Sequence, residues 1–160
     1  MSYIDGLSTL GIELGYAAFS ANTTLPTSVT KLGRINAIGG IEITPETIDA
    51  SALDDYITKR VAGRSDISET LTVTVNLTSE TYAEWEAITG NKLWFEIYHP
   101  SLTKGYFAVC TVPSAIPLPE SGQNELLTVE IGLVLNTIYN NGTKDIGWAN
   151  AVKPTDSGSY

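Results

Sequence analysis

The sequence predicts a mainly β fold: an antiparallel β-sandwich or barrel with one short flanking α-helix and one long loop. Three observations carry this. Short runs alternate apolar and polar residues, most clearly Leu71, Val73, Val75 and Leu77 against Thr72, Thr74 and Asn76. The separations between runs are too short for repeated β-α-β crossovers. One convincing stretch, Thr81 to Ile88, has helical spacing.

Taken in order, Ser2 to Leu10 reads as an extended N-terminal arm. Ile12, Leu14 and Tyr16 then alternate with Glu13, Gly15 and Ala17, the pattern of a half-buried strand. After a polar loop from Asn22 to Thr30, a second strand runs through Leu32, Ile35, Ala37 and Ile38. Ile41 to Ile43 continues it beyond Gly39-Gly40, glycines that mark a bulge or kink. Thr44-Pro45 ends this strand, because proline cannot donate to a ladder.

From Thr44 to Arg64 regular period is lost. A loop of about 20 residues inside a compact domain is uncommon without a functional reason. Alone it buries too little apolar surface to offset its ordering entropy, so it is expected to order against neighbouring copies as an assembly loop. Its apolar points are Ile48, Leu53, Tyr56, Ile57 and Val61, and their spacing allows a helical turn around Asp54 to Arg60. A partner surface would stabilise each fully buried large side chain by about 1.5–3 kcal/mol before ordering costs.

Ile67 to Leu77 follows as one strand. The helix has Ser79 or Thr81 as cap, a capping box of Thr81 with Glu84, Glu80 at its positive end, Gly90 as stop and Trp85 as its anchor. Leu93 to His99 and Tyr106 to Val112 form a hairpin. A Pro-containing loop (Pro117, Pro119) leads to a final strand, Leu126 to Leu135, with Leu127, Val129, Ile131, Leu133 and Leu135 inward and Thr128, Glu130 and Val134 outward. After Asn136 the pattern dissolves. The organisation is therefore a β domain, 1–136, containing loop 44–64, and a C-terminal arm, 137–160, whose last residues are loose.

Eighteen acidic and nine basic residues give a net charge of −9. The nearest thing to a basic cluster is Lys59, Arg60 and Arg64, which argues against specific DNA binding yet suits a surface past which DNA slides. A single cysteine, Cys110, allows no internal disulfide and reads as a small buried apolar residue. The N-terminus has no signal-peptide pattern and no run reaches the ~20 apolar residues of a membrane helix, so a soluble protein made in a cytoplasm is expected.

No catalytic, cofactor or metal site is expected. His99, the one histidine, has no evident nucleophile or carboxylate partner. Glu46, Asp49, Asp54 and Asp55 form an acidic group without calcium-loop spacing. They read as a solvated or inter-subunit face rather than the carboxylate pair of a hydrolase at Asp49 and Asp54. Trp85, Trp94, Trp148 and the tyrosines could stack on sugars, which keeps open a carbohydrate-binding or adhesin-like β-sandwich module; core and interface packing explain them more simply.

One ordered series has a wider likeness: INAIGGIEITPETIDASALDD, YITKRVAG, the Leu71–Leu77 strand, SETYAEWEAITG and WFEIYHP. Over residues 5 to 136 it resembles the tail tube (major tail) proteins of long-tailed phages. The resemblance implies a β-sandwich or barrel subunit in the virion tail, stacked as hexameric rings into a hollow tube through which DNA is ejected. It implies the chain itself as chief partner, together with tape measure, tail terminator and distal tail proteins, and no membrane. Carried over, Glu46, Ile48, Asp49, Leu53, Asp54, Asp55, Tyr56, Ile57 and Val61 belong to the inter-subunit loop, and the terminal arms are candidates for ring stacking. Thr72, Thr74, Asn76, Thr128 and Glu130 are the candidate lumen-facing positions.

Overall fold

The computed structural model describes residues 11–52, 56–57, 59–120, 122–123 and 125–155; within these, side chains are not described at 46–48 and 61–65. The elements are β1 (Glu13–Ala18), β2 (Thr30–Leu32), β3 (Ile35–Ile38), β4 (Ile43–Asp49), β5 (Arg60–Ile67), β6 (Thr70–Asn76), α1 (Ser79–Glu86), β7 (Lys92–His99), β8 (Lys104–Thr111), β9 (Thr128–Ile138) and β10 (Trp148–Asn150).

One sheet runs β2-β1-β7-β8-β9-β6-β3, with β10 paired to β8. Its pairings are antiparallel throughout. The two end strands are consecutive in the chain, joined only by Gly33 and Arg34. Successive Cα atoms are about 3.8 Å apart, so Leu32 and Ile35 lie within about 11 Å of each other. The sheet must therefore roll up until its ends nearly meet, forming a barrel. Arg34 makes the corner with φ 58°, and its carbonyl accepts from the Asn76 N–H at 2.9 Å.

Alternation fills the barrel. Leu71, Val73 and Val75 on β6 pair in register with Leu133, Ile131 and Val129 on β9, and all six are buried. Phe95, Ala108 and Cys110 complete the opposite wall. The helix is held there by Trp85, 1% exposed and stacked on Phe95 with ring centroids 6.4 Å apart. A second cluster lies outside the β1-β7-β8 wall, where Ala17, Trp94, Phe107 and Val109 meet Val29, Leu25, Tyr139 and Val152. That wall is thus covered on both faces, by the 19–29 loop and by the chain after β9. Burial on both sides explains why β7 and β8 read as nearly unbroken apolar runs.

The structure corrects several expectations. The segment from Thr44 to Arg64 contains strands: β4 and β5 pair antiparallel as a separate two-stranded ribbon. The ribbon is not part of the barrel sheet, and among its described side chains only Ile67, at its base, packs against the barrel core, so the barrel imposes no alternation along it. Pro45 does not end the strand. It pairs with Ser65 at a register shift, tolerated because each strand of a two-stranded ribbon has a free edge. Ile67 closes β5, and β6 begins anew at Thr70.

The helix cap is Thr78, not Ser79 or Thr81, and the capping box joins Thr78 to Thr81, not Thr81 to Glu84. The Thr81 hydroxyl accepts the Thr78 N–H at 2.8 Å and donates to the Asn76 carbonyl at 2.9 Å. Leu127 is 43% exposed and precedes β9, which runs on to a buried Ile138 instead of stopping at Leu135. The chain after Asn136, expected as an arm, joins the body: β10 pairs with β8, and Thr155 bridges to Thr30. Residues 156–160 and the N-terminal arm, 1–10, lie outside the described residues.

Candidate functional site

The outer face of β6 and β9 is the open wall of the barrel. Register places Thr74 opposite Glu130, Asn76 opposite Thr128 and Thr72 opposite Gly132. All five expected lumen positions therefore share one contiguous face. Glu130 is exposed, while Thr72, Thr74, Asn76 and Thr128 are half-buried by their neighbours. The outward positions are completed by Thr70, Gly132, Val134 and Asn136, leaving Glu130 as the single charge on this face. Asn136 Oδ1 accepts from Thr111 Oγ1 at 2.8 Å, and Val134 is 50% exposed.

The ribbon is the second feature. Its base is fixed where Ser68 N donates to the Glu42 carbonyl at 3.0 Å and Glu42 N to Ser68 Oγ at 2.8 Å. Within it Ile48 is registered with Val61 and Asp49 with Arg60, and Glu46 falls at the register shift between Pro45 and Thr47. Beyond the last pair, Ala50 N donates to the Lys59 carbonyl at 2.8 Å and Lys59 N to Ser51 Oγ at 2.6 Å. The Asp49 carboxylate accepts the Ser51 N–H at 2.9 Å, and the backbone and side-chain hydrogen bonds of Ser51 hold its pKa below the usual value. Tyr56 and Ile57 stand out at the tip, 104% and 76% exposed. Leu53, Asp54 and Asp55 lie outside the described residues, so the pairing of Asp49 with Asp54 has no geometry here.

The third feature was not legible in the sequence. At the seam between β3 and the β7-β8 end of the barrel lies an open groove of about 860 Å³, lined by Ile35, Ile38, Ile41, Ile97, Tyr106 and Trp148 among others. Trp148 packs edge-on to Tyr106 at 5.1 Å and lies 5.7 Å from the His99 ring. The Tyr106 hydroxyl is buried without a hydrogen-bond partner, and burial raises its pKa. Gly147, at φ 72°, lies flat against the Tyr106 ring, where a Cβ would collide. The isoleucines of this seam read in sequence as ordinary strand interior. The signal that set them apart was the Gly39-Gly40 break, which leaves Ile35, Ile38 and Ile41 at an opening.

A fourth group is buried beneath the C-terminal cover. Glu96, 1% exposed, accepts the Val152 N–H through Oε2 at 2.9 Å, while Oε1 has no partner. Burial pushes its pKa up to about 7, against the opposing Val152 hydrogen bond and with a smaller upward push from Glu13. A Cβ at Gly105 on β8 would collide with the Glu96 carboxyl, so this glycine leaves the space the carboxyl fills. Glu13 itself meets Lys31 at 3.1 Å, a partly exposed pair of small net worth. Cys110 is fully buried, its thiol pushed up to about 12 by desolvation. Among the described residues no group of three or more His, Cys, Asp or Glu side chains could hold a metal ion, and no helix is long and apolar enough to cross a membrane.

The sequence matches no family model and no curated protein. Among solved structures, the chain matches the tail of an empty GTA particle obtained with helical refinement and C6 symmetry. The TM-score is 0.55 at 10% sequence identity, over 92% of this chain and 100% of that one. The two chains share a fold. The likeness runs the full length of that chain rather than over a shared fragment.

Proposed function

We propose that the chain is the structural subunit of a phage tail tube: copies close into hexameric rings, the rings stack, and DNA passes down the channel at ejection. The observation that carries this reading is the whole-length fold match to a tail with C6 symmetry. The subunit's own surface supports it. One barrel wall is sealed on both faces, whereas the β6-β9 wall presents hydroxyls, amides and one carboxylate per copy. Repeated around a ring of chains that each carry −9, such a wall repels phosphate and offers few donors that would hold it. The β4-β5 ribbon supplies the reach between subunits. Heterologous contacts of this kind close into rings or extend into filaments. On this reading the subunit works in the virion tail without chemistry of its own, and tape measure, tail terminator and distal tail proteins are its further partners.

The test is assembly. Purified protein is expected to form rings or tubes by negative-stain microscopy. A variant lacking residues 46–61 is expected to remain a folded monomer by sedimentation and circular dichroism. A monodisperse monomer at high concentration in every salt tried contradicts the proposal. So would a clear glycan-array signal without self-association, which fits the sugar-binding alternative instead.

A further inference from the structure

We propose that the isoleucine-lined seam groove is the receptor for the ribbon tip of a second copy of this chain, with Tyr56 and Ile57 as the inserted side chains. This rests on the tube reading and names the contact that would build it.

Both halves of the contact are present on one subunit. Among the described residues the groove has no Asp, Glu, Lys or Arg in its lining, although the chain carries 27 such residues. Apolar recesses with aromatic walls and no charge have the composition of interface cores. Its volume, about 860 Å³, falls within the range of recesses that enclose a ligand of several side chains' size. Trp148 at its edge is 42% exposed, and Ile43 at its rim 48%. The complementary half is the ribbon tip, where two large apolar side chains stand in solvent.

A subunit cannot satisfy its own groove. The ribbon starts at Ile43, on the groove rim, and β4 runs six residue steps to Asp49. At about 3.3 Å per step the tip begins roughly 20 Å from the groove it left. The ladder from Ile43↔Ile67 to Asp49↔Arg60 opposes folding back. Tip and groove therefore meet only between copies, and always in the same sense: tip of one into groove of the next. That is a heterologous contact, the kind that propagates around a ring.

Complementation tests this. One variant carries Tyr56→Ser with Ile57→Ser, the other Ile38→Ser with Ile41→Ser. Each alone is expected to stay monomeric by sedimentation velocity at concentrations at least tenfold above those at which the wild type assembles. An equimolar mixture is expected to give a one-to-one dimer, because one intact tip and one intact groove remain. Assembly of either variant at wild-type concentrations overturns the proposal, as does a mixture that stays monomeric.

A cross-link guards against misfolding of the groove variant. Ile57→Cys with Ile38→Cys in one chain is expected to give disulfide-linked oligomers on oxidation, with or without residues 1–10. Absence of the link in assembled protein, or its loss on removing residues 1–10, overturns the proposal. Wild-type rings with unimpaired variants would refute this contact alone. A wild type that never assembles would refute the tube reading itself.

Discussion

Replacing Glu96 with glutamine is expected to flatten the pH dependence of stability. In the folded chain the Glu96 carboxyl stays protonated up to about 7, whereas its ordinary value is 4.5. Between those values the folded state binds one proton more than the unfolded state, so stability falls as pH rises, at 1.36 kcal/mol per pH unit. The window amounts to about 3 kcal/mol, of which about 2.5 kcal/mol falls between pH 5 and pH 8. Glutamine stays neutral throughout and can accept the Val152 N–H in the same way. At roughly 2–4 °C per kcal/mol for a chain of this length, wild type should lose about 5–10 °C in Tm between pH 5 and pH 8 that the variant keeps. Thermal unfolding followed by circular dichroism, with both proteins at equal concentration, measures this difference of differences. Other titrating groups, including the Asp49 carboxylate with its lowered pKa, cancel in it. Equal pH dependence in the two proteins refutes the assignment of a neutral buried carboxyl.

Three further outcomes are expected. Trp85→Ala removes the helix anchor and its stack on Phe95, and should cost about 3–5 kcal/mol in urea unfolding; a loss under 1 kcal/mol means the helix is held otherwise. Thr78→Ala removes the cap and one half of the capping box, costing about 1 kcal/mol; an unchanged denaturation midpoint contradicts the cap. In assembled tubes, Glu130→Cys should react with a small maleimide but not with a polymer-coupled one, while the free subunit reacts with both. Cys110, buried with its thiol pushed up to about 12, stays silent in both forms. Equal reaction with the polymer reagent in tubes would place the β6-β9 wall outside the channel.

What could be read in the sequence follows from how many faces each element buries. β6 and β9 each bury one face, so alternation located them, and the five positions expected to face a lumen fall on one wall. The β7-β8 hairpin was legible as strands, and its nearly unbroken apolar runs fit burial on both faces, yet the segments that cover its outer face, residues 19–29 and 139–152, lie too far along the chain to be named from sequence. Glu96 was hidden for the same reason: it alternates with Phe95 and Ile97 as a solvent-facing residue would, and only a distant segment covers it. The β4-β5 ribbon, set apart from the main sheet, carries no pattern, and was read as a loop. The cap was misread because Thr81 matched a capping box written with Glu84, whereas a threonine pair does the work at 78 and 81. The groove arises from closure of the sheet, which joins residues near 12, 38, 97 and 148, and its one local trace in the sequence is the Gly39-Gly40 break.

The central claim is that copies of this subunit enclose a channel lined by the β6-β9 wall. Helical reconstruction of the assembled protein tests it most directly. The expected result is six copies per ring around an open axis, with Thr72, Thr74, Asn76, Thr128 and Glu130 turned toward it. A reconstruction with the sealed β1-β7-β8 wall at the axis, or a protein that never leaves the monomer, contradicts it.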